Sequence, residues 1–64
     1  MENKFGKRLM ELRQEKGISQ KQLAEVLGVF QQSINRWENG KIKPGMDNII
    51  ALAEYFNVTV ELAK

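Results

Sequence analysis

Five side chains within six residues, Gln31, Gln32, Ser33, Asn35 and Arg36, are amides, a hydroxyl and a guanidinium, and no carboxylate stands between positions 31 and 36. An ordinary solvated helix face is richer in Glu and Lys set as i,i+4 ion pairs, so the set is chemically unusual. A glutamine amide carries a donor beside an acceptor, which fits N7 and N6 of adenine, and a guanidinium carries two donors that fit N7 and O6 of guanine. A carboxylate on such a face would repel phosphates, so its absence is needed, though it proves little alone. Catalytic sets are missing by contrast. The chain has no His and no Cys, which removes the commonest general base and metal ligand, the thiolate zinc site and any disulfide. Ser19, Ser33 and Thr59 are then hydroxyls with no base to activate them, so no enzyme, metal or cofactor is expected.

Short helices must hold that face. The glycines at 6, 17, 28 and 40 and the single proline at 44 cut the 64 residues into blocks with helical periodicity and no β-type alternation, so the chain reads as one all-α domain over residues 1–64. A first helix from Asn3 to Lys16 carries Phe5, Leu9 and Leu12 as one apolar stripe, with Gly17 as its left-handed stop. Ser19 and Gln22 form a capping box that opens a second helix with Leu23, Ala24 and Leu27 inward, closed by Gly28. A third helix from Gln31 to Asn39 turns Ile34 and Trp37 inward and Gln31, Gln32, Asn35 and Arg36 outward. After the basic turn Lys41 to Gly45, a fourth helix near Met46 to Phe56 buries Ile49, Leu52, Ala53 and Phe56, with Asn57 as its stop. Thr59 caps a last short helix, Val60 to Ala63.

A chain this short buries only about 60% of its unfolded surface, which leaves little core for a substrate cavity. No apolar run approaches the roughly 20 residues of a membrane span, and the start Met1-Glu2-Asn3-Lys4 lacks a signal-peptide core, so a soluble cytoplasmic domain is expected. Net charge is +2, divided unevenly: residues 1–43 carry nine basic and five acidic side chains, residues 44–64 one basic and three acidic. That asymmetry fits one face meeting a polyanion.

From Gln20 to Trp37 the pattern is two short helices joined by a tight glycine turn. Helices that cross steeply touch over a small patch, so the first needs a small residue at the crossing, and Ala24 supplies it between Leu23 and Leu27. Alone, such a hairpin is equally a plain packing unit. The segment QKQLAEVLGVFQQSINRW resembles the helix-turn-helix of the Cro/CI-type phage-repressor family, also called xenobiotic-response-element-type regulators. The following ENGK, KIKPG and MDNIIALAEYFNVTVEL resemble the rest of the family's five-helix pattern, so the likeness covers nearly the whole chain.

The resemblance implies a compact five-helix DNA-binding domain whose third helix enters the major groove of duplex DNA. It implies base contacts from Gln31, Gln32 and Arg36, with Ser33 and Asn35 nearer the groove walls. It further implies a phosphate held by Gln20 and the free amides of the second helix's first turn, and backbone contacts from Asn39, Lys41 and Lys43 on the other side. Gln20 as an ordinary first-turn residue, and the lysines as a solvated basic turn, are the plainer alternatives. Arg13 and Glu38 match a family pair that braces the third helix; the pair either presents Arg13 to a phosphate or is a weak surface ion pair.

Two positions depart from the family. Phe30 stands where relatives cap the third helix with Ser or Thr, and it either touches a thymine methyl or sugar or covers Trp37. Gly45 replaces the hydroxyl cap of the fourth helix, a milder loss. The expected role is a transcriptional regulator, a repressor by family likeness, that binds a palindromic operator as a homodimer through its C-terminal part, where Tyr55, Val60 and Leu62 offer apolar area. The alternative is an antitoxin-like or cofactor module that uses the same fold to hold a protein partner. Salt separates the two, because only phosphate contacts weaken steeply as ionic strength rises.

Overall fold

The computed structural model describes residues 4–58. Four residues with left-handed backbone, Gly17, Gly28, Gly40 and Asn57, set where the chain changes direction. They punctuate four helices, α1 Lys4–Lys16, α2 Gln20–Leu27, α3 Gln31–Glu38 and α4 Met46–Phe56, and no strand occurs among the described residues. The expected fifth helix, Val60 to Ala63, lies outside those residues, as does Asn3 at the start of the first. The third helix ends one residue earlier than its periodicity implies, with Asn39 as its C-cap.

Each helix closes in one way. An amide reaches back five residues to a carbonyl: Ile18 to Arg13 at 3.2 Å, Val29 to Ala24 at 3.0 Å, Lys41 to Arg36 at 2.9 Å and Val58 to Ala53 at 2.9 Å. This is the Schellman closure, in which the αL residue lets orphan carbonyls find donors while the next residue drops onto the core. Ile18, Val29 and Val58 do pack on the core. The residue after Gly40 is Lys41, which stays exposed, so α3 alone among the four has no apolar residue dropped onto the core by its closure.

The centre is built by one fully buried side chain from each helix, Leu9, Leu23, Ile34 and Leu52. Each contributes roughly 2 kcal/mol relative to exposure. Phe5, Leu12, Ala24, Trp37 and Ile49 complete the cluster, with Leu27 and Phe56, expected inward, only half-buried against it. Helix α3 packs on both α2 and α1, while α4 rests on α2. Ala24 is 3% exposed, as the close crossing of α2 and α3 demands. One side of α3 is therefore clamped, and the other is left to solvent.

The capping box of α2 is present in both halves: Ser19 Oγ accepts from the Gln22 amide at 3.0 Å and Gln22 Oε1 accepts from the Ser19 amide at 2.8 Å. Helices α3 and α4 start at Phe30 and Gly45 with no side-chain cap bond. At the far end, Lys16 holds α4: its Nζ lies 4.7 Å from the Tyr55 ring centroid and donates to the Tyr55 carbonyl at 3.5 Å. Tyr55 is thus half-buried beneath a lysine rather than an open apolar surface. Val60 and Leu62, the other residues expected to build a dimer contact, lie outside the described residues.

Candidate nucleic-acid interface

A carboxylate at the end of α3 organises the site from beneath. Glu38 accepts from Arg13 Nε at 2.7 Å, from Arg13 Nη2 at 3.3 Å and from Gln20 Nε2 at 2.9 Å. Arg13 Nη1 donates in addition to the Ile18 carbonyl at 2.9 Å. The Arg13 and Glu38 side chains are 14% and 1% exposed, which corrects the weak-surface-pair alternative: the pair is interior. One buried anion therefore ties the last turn of α1, the first turn of α2 and the last turn of α3. Low local dielectric and charge-assisted bonds make such a node rigid when all its members are satisfied. No buried side-chain nitrogen or oxygen among the described residues lacks a partner.

Above that node an open groove of about 390 Å³ is lined by Gln20, Gln31, Gln32, Asn35 and Arg36. Four of these are outward residues of α3, and the fifth is the first residue of α2, so the fold brings the expected base-reading and phosphate-holding amides to one surface. Gln31, Gln32, Asn35 and Arg36 are all exposed. Gln31, Gln32 and Arg36 form no side-chain bond to other described residues. Their donors and acceptors point to an outside partner or to water.

Asn35 differs. Its Oδ1 accepts from Asn39 Nδ2 at 3.0 Å, an i,i+4 amide ladder along the outer edge of α3. The Asn35 NH₂ makes no bond to other described residues, while its oxygen already accepts one bond and keeps a second lone pair. Ser33 is half-buried, and its amide donates to the Phe30 carbonyl at 2.9 Å. Lys41 and Lys43 are exposed in the turn that follows α3. Gln20 is half-buried with one amide hydrogen given to Glu38. The second remains. No group of three or more acidic, His or Cys side chains that could hold a metal occurs among the described residues.

The burial of Glu38 is the feature that residue types alone did not display. Its signal was weak, a family pair 25 residues apart in sequence. The hook from Gln20 onto the same carboxylate had no signal at all.

Comparison with known proteins decides the family. A helix-turn-helix family model matches residues 9–62, far more than half of the chain. The chain belongs to the Cro/CI-type helix-turn-helix family. The HTH-type transcriptional activator BcrR of Enterococcus faecalis is 39% identical over 57 residues, 89% of this chain and 28% of that protein. This helix-turn-helix chain thus spans little more than a quarter of that relative's length. The crystal structure of the restriction-modification controller protein C.AhdI from Aeromonas hydrophila superposes with a TM-score of 0.84 at 34% identity, covering 95% of this chain and 92% of that one. The P22 c2 repressor, solved with a synthetic operator, gives a TM-score of 0.84 at 26% identity over 89% and 86% of the two chains. The all-helical architecture is common to this chain and both solved structures. No helix among the described residues is long and apolar enough to cross a membrane.

Proposed function

We propose that this chain acts as a single helix-turn-helix module that binds duplex DNA sequence-specifically and regulates transcription in the cytoplasm. The observation that carries the reading is the exposed outer side of α3, where Gln31, Gln32 and Arg36 make no side-chain bond to other described residues beside the first turn of α2. A helix of this diameter fits the major groove, and amide and guanidinium tips match base edges there. Gln32 and Arg36 carry most of the base discrimination, Gln31 adds to it, and Ser33 and Asn35 meet the groove walls.

Phosphates are held on two sides. Gln20 gives its second amide hydrogen to one, together with the amides at the α2 N-terminus. Arg13 has engaged three of its five N–H groups, which leaves two donors for a phosphate of the same strand. Asn39, Lys41 and Lys43 hold the backbone beyond the other end of α3. Repression is the simplest regulatory outcome, because occupancy of a site that polymerase must use is sufficient. The P22 c2 relative is itself named a repressor and was solved with an operator. One module contacts too little DNA for tight binding, so the chain works as a homodimer on half-sites about 34 Å apart.

Selection of bound duplexes from a random pool, followed by a salt titration, tests the reading. A palindromic motif should emerge, and log K should fall with log salt at about 0.9 per phosphate neutralised. Recovery of no motif together with salt-independent binding to a protein partner would replace this function by the protein-holding one.

A further inference from the structure

We propose that Phe30 is a specificity-determining residue that recognises the 5-methyl group of a thymine at the edge of the bound site. The inference rests on the duplex-binding reading above and deepens it. Phe30 is 82% exposed, the most exposed of the large apolar side chains among the described residues. It does not cover Trp37 in any substantial way, since Trp37 is 5% exposed while most of the Phe30 surface meets solvent. Nor does Phe30 serve its helix. It occupies the N-cap of α3 with extended backbone, φ −75° and ψ 146°, and makes no side-chain cap bond. Ser, Thr, Asp or Asn there would bind an orphan amide, so a phenyl group at this place weakens the helix start. Its apolar neighbours in sequence, Val29 and Ile34, pack with the hydrophobic core, and Phe30 is not among the residues of that cluster.

An aromatic ring that stabilises neither core nor cap stands one residue ahead of Gln31, where the polar groove begins. In the major groove, the edges of the four bases present one apolar group, the thymine methyl, among donors and acceptors. A phenyl ring carried in beside Gln31 therefore has one partner of its own chemistry. Contact would remove apolar area of both from water without any polar desolvation. The neighbouring amides would at the same time fix the register that brings the ring to a single base pair.

Deoxyuridine supplies the test, because it deletes the methyl and leaves every hydrogen-bonding edge intact. A duplex selected with the wild-type chain is remade with each thymine replaced singly by deoxyuridine, and binding of wild type and Phe30→Ala is measured on every version. At one position per half-site the replacement should weaken wild type about four-fold, the worth of one buried methyl-sized group, and leave Phe30→Ala unchanged. A helical far-UV spectrum and an unaltered affinity for random duplex check that Phe30→Ala remains folded. Indifference of wild type to every replacement would overturn the proposal while leaving duplex binding standing, as would equal methyl sensitivity in Phe30→Ala. Failure to select any duplex would overturn both readings together.

Discussion

Arg13 and Glu38, 25 residues apart in sequence, meet at 2.7 Å with the carboxylate almost wholly withdrawn from solvent. This contact joins the first helix to the end of the third and draws Gln20 of the second into the same node. A buried ion pair is poor evidence of net stabilisation against an apolar alternative, but removal of one partner strands the other. Glu38→Ala should therefore destabilise the fold by about 3 to 5 kcal/mol, comparable with the whole stability of a small domain. Urea unfolding followed by circular dichroism measures it. Glu38→Gln, which keeps shape and one acceptor, should lose less. A change within about 0.5 kcal/mol for Glu38→Ala, the range of an ordinary surface substitution, would remove the node from the account of stability.

The missing cap of α3 predicts a gain. Phe30→Ser should stabilise the domain by about 1 kcal/mol and raise Tm by about 4 to 8 °C. The same change should erase the methyl discrimination proposed for Phe30. A thermal melt beside the deoxyuridine series would show stability and selectivity moving in opposite directions.

At Gly28, φ is +72° and a Cβ would have nothing within 4 Å. The difficulty of a side chain there is backbone strain alone. Gly28→Ala is expected to lose about 1 to 2 kcal/mol, and Gly28→Asn less, since asparagine tolerates this conformation. Denaturant midpoints at constant m-value would rank the three residues; equal losses for Ala and Asn would remove the backbone-strain account.

Base and backbone contacts should separate by mutation. Gln32→Ala is expected to lose about 1 to 3 kcal/mol on the selected duplex and little on random DNA, whereas Lys43→Ala weakens both and reduces the salt slope by about 1. Fluorescence anisotropy over a salt series reads both quantities. Identical behaviour of the two variants on the two DNAs would remove the division of roles.

Gly45 offers a milder check. Its φ of −70° with ψ 169° is ordinary N-cap geometry, and the space around a Cβ is open. Gly45→Ser should add a few tenths of a kcal/mol, visible as a small upward shift in Tm, with DNA affinity unchanged.

The elements that follow local rules were legible in the residues. Ser19 and Gln22 announced the start of α2, Gly28 its end, and the bounds of α4 agree with its apolar spacing. The outward set on α3 was equally plain, because an eight-residue helix with Ile34 and Trp37 anchored has only one way to turn its remaining side chains. Long-range relations were not. A glutamate near a helix end reads as solvated, and only the approach of α1 and α2 buries Glu38. The amide ladder from Asn39 to Asn35 is likewise not legible in the residues, since its direction depends on rotamers that spacing does not specify. Periodicity overstated the burial of Leu27 and Phe56, which sit at helix ends where packing partners thin out.

Among the described residues the four groove-facing side chains of the third helix give the interior nothing: three form no side-chain bond, and the fourth leans only on the cap of its own helix. Substitutions there are buffered from folding, so a lineage carrying this domain can vary that surface without passing through misfolded ancestors.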